Sequence, residues 1–369
     1  MQLLALTHLD NFNLSICLAA FLSLLFSIIV GRFLYKADLP PSLLDMPNKR
    51  KIHTAPTPLV GGITVIFSML IIIILFQLYT NINIQLFIIF SLYFLFIGLF
   101  DDLFRWDYKK KLILQVFGII LFIISISSNI SHLTFMSIYS DHKFLNYIII
   151  FLWILIIINA FNFFDGVNFL AGSLAIVFFS SYAIYYNGLG ENLPLILLVI
   201  LIFSIIGFLV YNRAPAKMFL GDAGSMFLGF AIASFPIIFK SNTSDSLDLI
   251  FPLIVSFILI SDTTFVVVTR VIKGKNPFYP DKTHLHHQLL NLKFRNRYIV
   301  LIIIAGAILH SILAFLSYEI ELTLLLTLLI LVNTIFIVMP RFLPVLFAKY
   351  NLWGLKNIYD DIVKCFKGK

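Results

Sequence analysis

The sequence predicts an all-α, polytopic integral membrane protein with about eleven transmembrane helices. Three observations carry this. Of 369 residues, 60% are apolar and 12% are charged, about half the charged share of a soluble domain. The apolar residues fall into runs long enough for a hydrocarbon core about 30 Å thick, which takes about 20 helical residues. The basic residues between those runs gather on alternate loops. Phe alone occurs 40 times, and a soluble fold cannot hide that much apolar surface. Eleven spans use about 220 residues and leave about 150, scattered in stretches of at most about 30, too short for a separate soluble domain.

The spans are expected at about 14–35, 59–79, 84–100, 112–128, 145–161, 169–186, 193–211, 219–239, 249–270, 298–317 and 322–339. The first is too long for a signal-peptide core, and its basic residues, Arg32 and Lys36, follow it, so it reads as a retained span. The third, fourth, fifth and seventh stand out most plainly. The last two are separated only by the turn Ser317-Tyr318-Glu319-Ile320-Glu321. The two cysteines, Cys17 and Cys365, lie at opposite ends and suggest neither a disulfide framework nor a zinc site.

With eleven spans, one set of loops holds 24 of the 26 basic residues, and the other holds Lys143 and Lys240. The positive-inside rule puts the richer set in the cytoplasm, the N-terminus outside and the C-terminus inside. The net charge of +8 then serves topology and anionic lipid contact, and calls for no nucleic acid. Residues 1–340 read as one transmembrane domain whose cytoplasmic loops are 36–58, 101–111, 159–168, 212–222 and 271–297. Residues 341–369 read as a basic interfacial tail. The outer loops, Asn81 to Asn83, Asn187 to Asn192 and Lys240 to Asp248, read as short and plain.

The unusual polar residues all fall on the cytoplasmic side. Asp45 to Gly62 holds Lys49, Arg50, Lys51 and His53 within five positions, followed by prolines and the pair Gly61-Gly62. This suits an anionic partner approached by backbone, or a stop-transfer charge run. Asp101-Asp102 ends span three, followed by Asp107, Lys109-Lys110-Lys111 and Gln115. A helix C-terminus opposes carboxylates by roughly 0.3–1 kcal/mol, so capping does not explain the pair. A divalent metal, a catalytic pair or a turn balanced by the lysines does.

Asn159 and Asn162 lie one turn apart at the end of span five, before Asp165-Gly166-Val167-Asn168. Asp165 or Asn168 also suits an N-cap of span six. Asn212 to Lys217 leads to Phe219-Leu220-Gly221-Asp222-Ala223-Gly224-Ser225, where Asp222 opens span eight as an N-cap or in a phosphate–metal loop. Pro280-Asp281-Lys282-Thr283-His284-Leu285-His286-His287 places three of the eight histidines within four residues, for phosphate, protons, zinc or a plain polar loop. Asp262 lies inside span nine, where an acid costs about 2.5–3.5 kcal/mol and is expected to be functional or paired. Arg270 shares its face.

These stretches, in this order, resemble the polyprenyl-phosphate N-acetylhexosamine-1-phosphate transferases of glycosyltransferase family 4. Asn159-Ala160-Phe161-Asn162-Phe163-Phe164-Asp165-Gly166 and Phe219 to Ser225 carry most of the likeness. His284-Leu285-His286-His287 after Pro280-Asp281 is similar to the branch that uses UDP-GlcNAc. One departure is plain: Asn168 and Phe169 stand where the family usually has Asp and Gly.

The resemblance implies transfer of N-acetylhexosamine 1-phosphate, GlcNAc 1-phosphate by the histidine pattern, from a UDP-sugar to undecaprenyl phosphate. UMP is released, and a lipid-linked envelope glycan such as O-antigen or a wall polymer is begun. It implies Mg²⁺, with Mn²⁺ as a substitute, and a bacterial inner membrane with a cytoplasmic active site. Asp222 would hold the metal, and Asp101, Asp102 and Asp165 would be catalytic. Arg50, Lys51 and Lys111 would meet phosphates, and Asn159 and Asn162 would line the site. Asn168, Asn212 and Phe219 would face the uracil, and His284, His286 and His287 the sugar-phosphate side. Substrates, membrane lipids and a second copy in a homodimer are the implied partners. Intramembrane acids also suit a secondary transporter, although the unusual residues lie at one face and no inverted repeat is visible.

Overall fold

The structure, a computed structural model, describes residues 12–46, 55–127, 133–135, 138–140, 142–240, 247–274, 283–292 and 294–342. It is helical, with strands of only two or three residues among the described residues. The chain divides into two compact units, residues 1–250 and 251–369, each described by itself.

In the first unit, α1 (Phe12–Lys36) buries Ser15, Ala19, Ser23, Ser27 and Gly31, one small residue per turn. Lipid tails are as apolar as Leu, so helices there gain little from apolar burial and close through small residues. This seam packs against α7 (Asn192–Asn212) and α2 (Gly61–Leu75). The Ser27 hydroxyl donates to the Ser204 carbonyl at 2.6 Å, and the Tyr211 hydroxyl to that of Ile28 at 2.8 Å. The opposite face of α1, with Leu14, Phe21, Ile29 and Phe33, is exposed.

The central helix is α8 (Gly221–Ile238), almost entirely buried. Around it pack α3 (Ile82–Phe104), α5 (Lys143–Phe163), α6 (Leu170–Gly188) and α2. Phe230 stacks on Phe94 at 4.6 Å and meets Phe122 of α4 (Tyr108–Ser125) edge-on at 5.3 Å. Pro236 has no N–H to offer the Ile232 carbonyl one turn back. The Tyr182 hydroxyl donates to that carbonyl instead, at 3.2 Å.

Two short strands, β1 (Leu44–Asp45) and β2 (Thr57–Pro58), pair antiparallel ahead of α2. Elsewhere β3 (Leu133–Phe135) pairs antiparallel with β4 (Ile138–Ser140) and parallel with β5 (Leu247–Asp248). One loop expected to be plain, Lys240 to Asp248, thus contributes a strand to a small sheet, because strand pairing between distant loops leaves no periodicity in an apolar sequence.

The second unit contains α10 (Phe257–Ile272), α11 (Leu285–Asn291), α12 (Asn296–Leu316) and α13 (Leu322–Asn333), the last continuing through a π-helical turn at Thr334–Val338. The span expected at 249–270 is broken: α9 (Ile250–Val255) stops and the helix resumes at Phe257. The Ser256 hydroxyl donates to the Pro252 carbonyl at 2.7 Å, a back-bond that competes with the helical ladder and bends it.

Eight helices among the described residues are long and apolar enough to cross a membrane. The protein is a multi-pass membrane protein. Helices α2, α4 and α10 are shorter or more charged than those eight. Residues 343–369, expected as an interfacial tail, lie outside the described residues.

Candidate active site

The site forms where the last turn of α3 meets the first turn of α8. Gly98 allows the approach, since a Cβ there would lie 2.2 Å from the Asp222 carbonyl oxygen. One turn later Asp102 sets its carboxylate on the α8 N-terminus. It accepts the Asp222 and Ala223 backbone N–H groups, each at 3.0 Å. Helix N-termini carry unsatisfied N–H groups and partial positive charge. The acid that was unfavourable on its own helix is therefore favourable on another. Asp222 does not cap α8: Leu220 is the N-cap residue, with no side-chain cap of its own.

That frees the Asp222 carboxylate. Lys111 of α4 reaches it at 2.7 Å and reaches Asp101 at 2.9 Å, so one ammonium joins two carboxylates. The Asn162 amide donates to the other Asp222 oxygen at 2.7 Å and to the Ser225 hydroxyl at 2.6 Å. Asp101 also accepts the Trp106 backbone N–H at 2.9 Å. Asn159 donates to Gln115 at 3.0 Å and to the Leu155 carbonyl at 2.8 Å. The two asparagines on one helical face thus tie α5 to α8 and to α4.

Asp165 follows in the turn between α5 and α6. Burial of its carboxyl, reinforced by the charges of Asp222 and Asp102, raises it well above the ordinary carboxylate range. Asn168 is half-buried in the same turn, and Phe169, not Asn168, holds the N-cap position of α6, with no side-chain cap. Phe169 has φ +74°, a left-handed conformation that favours glycine. Buried Asn212 secures it, accepting the Phe169 N–H at 2.6 Å while donating to the Met218 carbonyl at 2.9 Å. Both ends of the Asn212 amide are engaged by backbone.

Half-buried Phe219 lies on the strand-like stretch before α8, its N–H donated to the Pro58 carbonyl and its own carbonyl accepting from Gly61, both at 2.9 Å. Gly62 is needed for a protein contact: its Cβ would lie 2.3 Å from the Gly224 Cα. The glycine pair therefore admits the α8 backbone, where the sequence suggested a ligand. Arg50 and Lys51 lie outside the described residues.

A cleft of about 330 Å³ opens over these acids. Its walls include Asp45, Asp101, Asp102, Arg105, Trp106 and Asp222. Asp45, Arg105, Trp106 and Ser225 had no assigned role in the sequence reading. A basic residue three positions after the acid pair was the one signal available for Arg105.

In the second unit, Asp262 is fully buried. It accepts from His284 Nδ1 at 2.8 Å, from the Leu285 N–H at 2.9 Å, and from Arg341. Arg270, the partner suggested by its shared face, stands eight residues on, about 12 Å along a helix. The His286 ring lies 4.2 Å from that of His287 and 6.3 Å from that of His284. Burial, with His287 alongside, lowers His286 to about 3, so it is neutral at physiological pH.

Among the described residues no group of three or more His, Cys, Asp or Glu is placed to hold a metal. Mg²⁺ needs less: one or two carboxylates, with phosphate oxygens and water completing the shell. Asp101 and Asp222 meet that requirement, since their oxygens already converge on one cation, the Lys111 ammonium.

Residues 84–240 match the family model described as glycosyl transferase family 4. The chain is 29% identical over 297 residues to a probable undecaprenyl-phosphate N-acetylglucosaminyl 1-phosphate transferase of Bacillus subtilis, covering 80% of this chain and 83% of the relative. It is 30% identical over 268 residues to the undecaprenyl-phosphate alpha-N-acetylglucosaminyl 1-phosphate transferase of Thermotoga maritima, covering 73% and 78%. It is also 30% identical over 253 residues to a phospho-N-acetylmuramoyl-pentapeptide-transferase of Staphylococcus carnosus, covering 63% and 77%. These relatives are transferases and lend no support to a transporter.

Proposed function

Since this chain belongs to glycosyl transferase family 4, we propose that it transfers GlcNAc 1-phosphate from UDP-GlcNAc to undecaprenyl phosphate, with release of UMP. The observation that carries this reading is the convergence of Asp101, Asp222 and Lys111 beside a helix N-terminus capped by Asp102. Two N-acetylglucosaminyl 1-phosphate transferases at about 30% identity over most of the chain support the choice of sugar.

The acceptor phosphate oxygen attacks the β-phosphorus of the nucleotide sugar. The bond from that phosphorus to the bridging oxygen breaks, and UMP leaves with the electron pair. A phosphate monoester has its second pKa near 6, so the acceptor is mostly dianionic at neutral pH and a base is helpful without being obligatory. Lys111 meets the phosphates and offsets their charge. Asp101 and Asp222 are the residues that would hold Mg²⁺, with Mn²⁺ as a substitute. When bound, the metal would offset the charge of the diphosphate. Asn162 keeps the Asp222 carboxylate in its rotamer, and Asn159 supports the same helix face. Asp165 and Asn168 line the nucleotide side, where the Phe219 ring stacks on the uracil.

The reading places eleven crossings in a bacterial inner membrane, with the N-terminus outside and the site in the cytoplasm. The uneven distribution of basic residues between alternate loops supports it. The test is UMP release by the purified protein with undecaprenyl phosphate and UDP-GlcNAc. Release should require both substrates, stop with EDTA and stop with Asp222→Asn. UMP formation independent of the lipid would reject the reading.

A further inference from the structure

The buried face of α13 changes register partway along. Leu325, Leu329 and Val332 are buried at the spacing of an α-helical face. An uninterrupted α-helix would bring that face next to Phe336 and then to Met339 or Pro340. Ile337 is buried instead, five positions after Val332. Arg341 follows one turn later, its side chain only 6% exposed. The extra residue is taken up by the π-helical turn at Thr334–Val338. Such turns are rare and recur at functional sites. Here the turn makes Arg341, rather than Pro340, face inward.

Three contacts meet Arg341 there. One Nη donates to Asp262 of α10, and the other donates to the Ile337 carbonyl at 2.6 Å. The guanidinium lies over the Phe265 ring, 4.6 Å from its centre. Phe265 stands one turn after Asp262 on α10 and also meets the Phe342 ring edge-on at 6.1 Å. Asp262 in turn divides its oxygens. Oδ1 accepts from Arg341 and from the Leu285 N–H, and Oδ2 faces His284 Nδ1 at 2.8 Å. One carboxylate thus fixes both the His284 ring and the start of α11.

The plain account of Arg341 is a counter-charge, since a buried acid in a membrane helix is costly without one. A counter-charge needs only proximity. Arg341 is held by a register shift, a ring and a carbonyl, and its planar fork transmits that orientation to Asp262. We infer that Arg341 is a positioning residue for the His284-Leu285-His286-His287 segment: it acts through Asp262, and the π turn of α13 aims it. Holding Nδ1 at a carboxylate fixes the direction of Nε2 on the opposite ring edge. The inference rests on the transferase reading for what the histidines meet, the sugar-phosphate side, and on contacts within the second unit for the rest.

Variants of the full-length protein in nanodiscs test it. Arg341→Gln should raise the KM for UDP-GlcNAc about tenfold, the scale of one charge-assisted hydrogen bond. The KM for undecaprenyl phosphate should stay within about twofold, a split that a smaller folded fraction would not produce. Two single-residue deletions test the register. Ile335 and Met339 are similarly exposed, at 46% and 47%. Deleting Ile335 turns the π turn into α-helix and keeps Ile337 and Arg341 on the buried face. Deleting Met339 swings Arg341 about 100° away. The first deletion should keep the KM for UDP-GlcNAc within about threefold, and the second should match Arg341→Gln. Hydrogen exchange of residues 285–291 needs no turnover. It should quicken about tenfold in Arg341→Gln and in the Met339 deletion, and stay near wild type in the Ile335 deletion. That pattern in a protein that releases no UMP would uphold the positioning role and reject the transferase reading. Equal behaviour of the two deletions, or wild-type exchange and KM in Arg341→Gln, would leave Arg341 a counter-charge and overturn the inference.

Discussion

Asp102 accepts the backbone N–H of Asp222 at 3.0 Å, joining the end of α3 to the start of α8 across 120 residues. The bond explains how an acidic pair can end a helix whose own dipole opposes it. Asp102 works against the positive end of α8, and Asp101 works against Lys111. Two adjacent residues of one type therefore carry different tasks.

Asp102→Asn tests the first task. An amide has one acceptor oxygen where the carboxylate used two, so one N–H of the α8 turn loses its partner. The expected cost is about 1–2 kcal/mol of stability, read as a lower thermal midpoint in detergent, together with reduced turnover. An unchanged midpoint would remove the capping role.

Lys111→Ala leaves the Asp101 and Asp222 carboxylates facing each other without a cation. Breaking a fully buried pair costs about 3–5 kcal/mol. Asp222 is partly exposed, so roughly 2 kcal/mol is expected here. Turnover should fall by about 10²–10³-fold, as when an electrostatic group at a phosphoryl site is removed. A folded variant with wild-type turnover would limit Lys111 to balancing charge.

Phe169→Gly addresses the turn before α6. A side chain at φ +74° costs about 1 kcal/mol or more, and glycine returns part of that as unfolded-state entropy. The net expectation is a gain of about 0.5–1 kcal/mol, with Asn212 still accepting the backbone N–H. A lower midpoint would show that packing of the Phe169 ring outweighs the strain.

Asn168→Asp replaces a neutral acceptor with a charged one beside the proposed uracil site. Bonds to charged partners contribute roughly 1.5–3 kcal/mol against about 1 for neutral ones. The KM for the UDP-sugar should therefore fall about fivefold with little change in turnover number. Since Asn168 does not cap α6, an unchanged KM could not be put down to an equivalent cap and would place Asn168 outside the nucleotide pocket.

Much of the helical layout was legible because each apolar run is long and bounded by polar residues. Every expected span overlaps a helix, and the turn between α12 and α13 falls at Ser317 to Glu321. The break at Ser256 was not legible, since a single Ser in an apolar run predicts no bend. In the site, the spacing of Asn159 and Asn162 put both on one face, but not their partners, because a helix face says nothing of what lies across from it. The span of Lys111 over two acids, the engagement of Asn212 by backbone and the left-handed turns at Arg105 and Phe169 all depend on tertiary placement. The sequence marks Asp262 as functional or paired and points to Arg270 on its own helix face, whereas its partners His284 and Arg341 come from distant segments that helical spacing does not reveal.

The position of bond cleavage tests the central claim most directly. UDP-GlcNAc labelled with ³²P in the β-phosphate is incubated with undecaprenyl phosphate and the purified protein, and the products are separated by solvent extraction. A sugar 1-phosphate transferase moves the label into the lipid phase and leaves unlabelled UMP in water. Label retained in the aqueous phase as UDP, with sugar alone on the lipid, would contradict the account.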